Sequence, residues 1–218
     1  MARVNDYGGV RLSAPWCVVM PRGAVAFRIV DRYELAVFLS EANRQATHAE
    51  LAASDLDQAV ENDDSDRLWY SVHALLIALA NLSKLMWPAG DGSRVRGLTL
   101  RALLGVPDDS PLKTRRFRNH WEHFDARLDK WARKARKPPP NESIGPLSRF
   151  PNRNLFLKQY DPKTRKLGFR GQSFELTPVL KAVSRIRQLA YVYGNEAAAG
   201  TLNAEKVARA VKARKSPN

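Results

Sequence analysis

The chain has 218 residues and is 44% apolar, which is enough for one substantial hydrophobic core. Its single cysteine, Cys17, excludes an intramolecular disulfide and any metal site built from several cysteines. The sequence contains no run of 18 apolar residues and no N-terminal pattern typical of a signal peptide. These features predict a protein of the reducing cytoplasm, without membrane contact.

The formal net charge is +14, and the basic residues are concentrated in the second half of the chain. Residues 1–100 carry 10 Lys/Arg and 12 Asp/Glu, whereas residues 101–170 carry 18 and 7. A positive field of this kind attracts polyanions, and nucleic acid is the commonest polyanion in a cytoplasm. The alternative interpretation is a solvated surface followed by a basic tail.

Residues 1–29 contain several glycines and prolines around one short apolar run, and they are interpreted as an N-terminal extension. The pattern becomes helical from about Val30 to Ala53. In that helix Tyr33, Val37, Ala46 and Leu51 are predicted to lie near one face. His48 is expected to be an exposed surface histidine.

The most apolar segment, about Ser65 to Met86, is predicted to be the central core helix, preceded by an acidic cap. His73 and Asn81 interrupt its apolar surface. Each is either a hydrogen-bonded polar group of the core or edge, or a side chain that faces the basic helix further along the chain.

A short basic helix is predicted from Arg94 to Gly105, where the glycine is a plausible C-terminal cap. Ser110 followed by Pro111 then forms a typical helix start. The helix that begins there is predicted to run to about Arg136, before three consecutive prolines stop it.

Residues 138–154 are expected to form a loop, followed by a basic hairpin insertion at about 150–172. Its predicted strands are Asn154 to Tyr160 and Lys166 to Arg170. A last amphipathic helix is predicted from Thr177 to Tyr193, ended by Gly194. Residues 196–218 are expected to be a basic C-terminal tail or helix that is frayed. Residues 30–195 would thus form one helical domain.

The helix predicted from Pro111 to Arg136 carries the densest concentration of reactive side chains. Its apolar residues repeat at spacings of four and three, which predicts one buried stripe made of Phe117, Trp121, Phe124, Leu128 and Trp131. On the opposite arc a cation, an amide, a carboxylate and an imidazole share one face within two turns. These residues are Arg118, Asn119, Glu122 and His123.

The spacing Arg118-Asn119-x-x-x-His123 resembles the R-x(4–6)-H signature of the HEPN superfamily. The resemblance covers about residues 30–135 and the helix at 177–193. It implies an antiparallel helical bundle and a symmetric dimer in which two such helices meet, and it does not cover the hairpin. Together with the hairpin pattern, the predicted fold class is mostly α, a HEPN-like antiparallel helical bundle with a small β-hairpin insertion. Catalytic members of this superfamily are metal-independent endoribonucleases, several of them toxins, while others are non-catalytic binding modules.

The chemistry of these side chains suits RNA cleavage through the 2′-hydroxyl. Histidine titrates near neutral pH, so His123 can accept or donate the proton. Arg118 would hold two phosphate oxygens, Asn119 would orient phosphate or sugar, and Glu122 would position Arg118. His120 would assist one turn earlier, although a structural or exposed role suits it better.

Simpler interpretations of the same residues stay open. Arg118 and Glu122 can form a surface ion pair and nothing more, and His123 can be a packed histidine. Further ligands at metal-site spacing do not accompany His120 and His123, so no metal or cofactor is predicted.

Two other functions compete with RNA cleavage. The first is a non-catalytic HEPN-like module that binds nucleic acid or a partner of a defence or toxin–antitoxin system. The second is an unrelated helical nucleic-acid-binding protein. The expected partners are RNA and a second copy of the chain. The residues expected to contact nucleic acid are Arg115, Arg116, Lys163, Arg165 and Lys166.

Overall fold

The structure is a computed structural model that describes residues 31–114, 123–133, 142–147, 156–170 and 172–215. This part of the chain is mostly helical, with one small sheet. Its α-helices are α1 (Arg32–Glu61), α2 (Ser65–Met86), α3 (Arg94–Leu103), α4 (Phe124–Ala132), α5 (Leu176–Ala199) and α6 (Ala204–Lys215). Its strands are β1 (Glu142–Ile144), β2 (Lys158–Asp161), β3 (Lys166–Phe169) and β4 (Gln172–Glu175).

The helix α1 is the centre of the bundle, because both α2 and α5 pack along it. Its N-terminus is capped by Asp31, whose carboxylate accepts a hydrogen bond from the Glu34 N–H at 2.8 Å. Between its terminal leucines the buried face consists of small side chains, which allow two neighbouring helices to approach closely. These residues are Ala42, Ala46, Ala49, Ala52 and Ala53.

The predicted grouping of Tyr33, Val37, Ala46 and Leu51 on one face of α1 is wrong for Ala46. Tyr33, Val37 and Leu51 are 53%, 65% and 59% exposed, while Ala46 is fully buried. The physical reason is that the helix contact is made of small side chains between leucines such as Leu35 and Leu39, which are fully buried, so an apolar residue type alone does not show which face of α1 is buried.

The predicted limits of α2 are confirmed at both ends, and the carboxylate of Asp64 caps it by accepting from the Arg67 N–H at 2.9 Å. By length and composition alone, α2 could span a membrane, but 61% of its apolar window is buried inside the bundle. Tyr70 and Ile77 on its outer side are exposed. One side of α2 therefore belongs to the core, and the prediction that α2 is the central helix is wrong, since α1 occupies that position.

The helix α3 ends as predicted, with Gly105 in the left-handed region at φ +59°. The helix α6 packs against α3 and buries Val207 and Val211, so residues 204–215 form a docked helix and not a frayed tail. Of the two alternatives predicted for this segment, a tail or a helix, the helix is the one that the structure contains, and two buried valines carry its contact.

The single helix predicted from Pro111 to Arg136 is wrong. Ser110 and Pro111 do begin a helical turn, but it is a short 3-10 turn, Pro111–Lys113, and Thr114 is extended at φ −67° and ψ 120°. A second break lies at His123, with φ −114° and ψ 39°, before α4 begins. An apolar period shows which residues face a core, and it does not show that the backbone between them is continuous.

The sheet has the strand order β1-β2-β3-β4, with β1 parallel to β2 and the other pairs antiparallel. The predicted hairpin is confirmed as β2 and β3, whereas β1 lies within the predicted loop and β4 was not predicted. All four residues of β2 are buried, including Lys158, Gln159 and Asp161. Burial on both faces removes the alternating pattern by which a strand is normally detected.

The helix α5 continues past its predicted end at Gly194 and stops at Gly200, which has φ +75°. Gly194 is instead an interior position where α5 approaches α1 near Leu39. Ion pairing between Arg187 and Glu50 at 2.6 Å also holds the two helices side by side.

Candidate functional site

The predicted motif lies largely outside the described residues. Of its members, Arg118, Asn119, His120 and Glu122 lie in the undescribed range 115–122, as do the predicted RNA contacts Arg115 and Arg116. His123 is described, and its side chain is exposed. It stands at the N-cap of α4 with a non-helical backbone.

The position of His123 corrects one part of the sequence analysis. Asn119 and His123 were expected to be neighbours one turn apart on a continuous helix. Because His123 leaves helical geometry, its orientation is set by the start of α4 and not by the wheel of a longer helix. The apolar stripe is supported over its second half, since Phe124, Leu128 and Trp131 pack against the core.

A buried cation lies beside the residue that follows His123. Lys158 of β2 is only 5% exposed, and its Nζ lies 5.8 Å from the ring centroid of Phe124 and 5.0 Å from that of Trp69. It also forms an ion pair with Glu142 of β1. A charged side chain is buried only where it is paired, and here a carboxylate and two aromatic rings compensate it.

His73 of α2 is electrostatically coupled to the same group and is half-buried. Burial lowers its pKa below the ordinary value of 6.5, and the positive charge of Lys158 lowers it further, while Glu142 acts in the opposite direction. His73 is therefore neutral near pH 7. We call Trp69, His73, Phe124, Glu142 and Lys158 together the Lys158 cluster.

The two polar residues that interrupt α2 thus have different roles. Asn81 donates a hydrogen bond from Nδ2 to Gln45 Oε1 of α1 at 3.3 Å, so it is a satisfied polar group between two helices. His73 belongs to the cluster that supports the start of α4. Neither Lys158 nor Glu142 was singled out from the sequence. The sequence signal that could have identified Lys158 is a lysine within the largely apolar predicted strand Asn154 to Tyr160.

The hairpin cations expected to bind nucleic acid have protein partners in two of three cases. The Nη2 atom of Arg165 lies 2.9 Å from each carboxylate oxygen of Asp57, and Lys166 lies 2.8 Å from Glu175. Lys163 is exposed and has no carboxylate partner within the described ranges. Among the three hairpin cations, the predicted contact with nucleic acid therefore rests mainly on Lys163, because the charges of Arg165 and Lys166 are partly neutralised by carboxylates.

Within the described ranges, no three His, Cys, Asp or Glu side chains group closely enough to hold a metal ion. No protein-family model matches the sequence, and neither a curated protein nor a solved structure matches it.

Proposed function

We propose that this chain is a HEPN-like, cytoplasmic RNA-binding protein that cleaves RNA without a metal, acting as a homodimer. The observation that carries the proposal is the placement of His123: an exposed imidazole, the last residue of the Arg118-Asn119-x-x-x-His123 motif, on a chain of net charge +14. A positive field concentrates RNA, and an exposed imidazole is open to its 2′-hydroxyl.

The Lys158 cluster supports this role by fixing the chain beside His123. Phe124 follows His123 directly and is held against Lys158, which Glu142 and Trp69 hold in turn. An acid–base group works only if it is positioned within a few tenths of an ångström of its productive geometry. In the proposed reaction His123 takes the proton of the 2′-hydroxyl or gives one to the leaving oxygen. Arg118 stabilises charge on the phosphate.

A second candidate function is favoured by the helix break at His123. If Arg118 and His123 do not share one helical face, a composite active site is not assembled by helix geometry alone. The chain would then be a non-catalytic RNA-binding or partner-binding module of a defence or toxin–antitoxin system.

The test is incubation of the purified protein with structured and unstructured RNA in EDTA, comparing wild type with His123→Ala. We expect fragments that end in 2′,3′-cyclic phosphate, and a loss of about 10²–10⁴-fold in rate in the variant, the usual contribution of one acid–base group. The matched control is His48→Ala, which removes another exposed histidine from α1. The control should cleave at the wild-type rate.

Absence of cleavage, with wild type and His123→Ala still binding RNA equally well, would refute catalysis and leave the binding module. RNA binding by either function should weaken steeply as salt rises, because bound phosphates release counterions. Absence of both cleavage and binding would refute the RNA proposal altogether.

A further inference from the structure

A cavity of about 300 Å³ opens between the first half of α5 and the loop that follows α3. Its floor is apolar and consists of the buried side chains of Leu104, Val106 and Ile186. Ser110, which is also buried, lines the same space, and its hydroxyl oxygen accepts a hydrogen bond from the Leu112 N–H at 3.4 Å. An apolar surface with few polar groups is typical of small-ligand sites.

Two cations stand at the opening of this cavity. Lys181 and Arg185 lie one turn apart on α5, and both are exposed. Neither has a carboxylate partner within the ranges that the structure describes. The guanidinium of Arg185 lies across Gly105, where an added Cβ would be 3.1 Å from its Nη2 atom. Both side chains can therefore be directed at one anion.

The loop that forms the opposite wall is held in place by ion pairs. Asp108 Oδ1 lies 2.6 Å from Arg214 Nη2 of α6 and 3.2 Å from Arg101 Nε of α3. Arg214 also donates a hydrogen bond to the carbonyl oxygen of Val106 in this loop. The cavity thus has a wall fixed by two arginines from two different helices.

The charges around the loop favour an anionic ligand. Asp108 is surrounded by Arg101, Lys113 and Arg214, and all three lower its pKa. The one other carboxylate of the loop, Asp109, is exposed to solvent. Among the residues that line the cavity, Lys181 and Arg185 are the charged ones and no carboxylate accompanies them, so an anion at the opening experiences net attraction.

We propose that this cavity binds a single nucleotide. Lys181 and Arg185 bind its phosphate, and the base packs on Pro107 and Ala182, the accessible apolar residues of the lining. A guanidinium can donate two hydrogen bonds to one phosphate, which gives both strength and orientation. A volume of about 300 Å³ is at the small end of ligand pockets and suits a ligand of the size of one nucleotide.

The nucleotide can be free or can be one residue of an RNA strand. The site is separate from His123, so the inference does not depend on whether the chain cleaves RNA. The test uses binding alone, and its failure would leave the cleavage experiment unaffected.

The experiment titrates the full-length protein with AMP, GMP, CMP, UMP and inorganic phosphate, and separately with a short single-stranded oligoribonucleotide. Backbone amide NMR shifts report the site. At least one nucleotide should shift the amides of residues 104–110 and 181–186, and bind at least about tenfold more tightly than inorganic phosphate. The double variant Lys181→Gln/Arg185→Gln should weaken that affinity about tenfold or more.

Two further variants make the result specific. Ala182→Leu fills the cavity without removing a charge, and it should prevent nucleotide binding while the helix is retained. Lys130→Gln/Arg94→Gln removes one exposed lysine and one exposed arginine, from α4 and the start of α3, which do not line the cavity. This control should bind the nucleotide like wild type.

Shifts at the same amides with the oligonucleotide alone would identify a nucleotide of a strand as the ligand, and would support the site. The proposal is overturned if neither ligand shifts these amides. Equal affinity for inorganic phosphate, or equal weakening in the two double variants, would also overturn it.

Discussion

At the scale of single residues, the most informative group is His73. Burial is the main cause of its lowered pKa, and Lys158 adds to the effect against the opposing charge of Glu142. The unfolded chain therefore binds a proton on this histidine at a higher pH than the folded protein does. Folding stability is complete above the ordinary pKa and falls as the pH decreases below about 6.5.

We expect the free energy of unfolding of wild type to fall more between pH 7.5 and pH 5 than that of His73→Gln, because the variant has no proton to bind there. Urea unfolding at the two pH values measures this difference. His48→Gln, at an exposed position of α1, is the control and should follow wild type. An NMR titration of His73 with a midpoint above 6.5 would contradict the prediction.

At the scale of elements, the glycines inside helices differ in what surrounds them. A Cβ added at Gly194 of α5 would lie 3.6 Å from Leu39 Cβ, an ordinary contact. We expect Gly194→Ala to stabilise the protein by about 0.5–1 kcal/mol, because alanine restricts the unfolded chain and favours the helix. The measurement is the free energy of unfolding in urea.

The matched control is Gly97→Ala in α3. There the added Cβ would lie 2.6 Å from Pro88 Cδ and 2.7 Å from the Met86 carbonyl oxygen, so a structural shift is unavoidable. This variant should lose about 1–3 kcal/mol, the usual cost of overpacking. If both substitutions destabilised equally, α5 would not continue through Gly194 as a regular helix.

At the scale of the whole molecule, Asp108 connects three parts of the chain: α3, its following loop and α6. Its hydrogen bond with Arg214 is the main cause of its lowered pKa, so its contribution to stability is present above the ordinary aspartate range and lost in acid. Arg101 and Arg214 are each 14% exposed at the side chain, and they would repel one another without this carboxylate.

We expect Asp108→Asn to cost about 0.5–1 kcal/mol at neutral pH, because Arg101 and Arg214 lose a counter-charge that is 65% exposed and therefore screened by solvent. The neighbouring variant Asp109→Asn, at an exposed position, should change stability little. Urea unfolding at pH 7 and near pH 3 measures both. The difference between wild type and Asp108→Asn should narrow in acid, and a constant difference would argue against the carboxylate as its cause.

Local chemistry made several elements predictable. The limits of α2, the end of α3 at Gly105 and the β2–β3 hairpin all depend on residues a few positions apart, through caps, backbone conformation and turn propensity. In the candidate site, the sequence singled out His123 as a candidate acid–base group and His73 as a polar interruption of an apolar helix, and only the structure showed that His123 is exposed. The sequence did not identify the partners of either group.

By itself, the sequence determined a mostly helical chain with a basic hairpin, because helix formation and turn formation depend on residues that are close together in the sequence. Only the tertiary structure decided that α1 is central, that Lys158 is buried under Phe124, and that α5 continues past Gly194. Each of these depends on contacts between residues far apart in the chain. Such contacts decide whether an alanine, a lysine or a glycine is in a core, since the residue type alone is compatible with either environment.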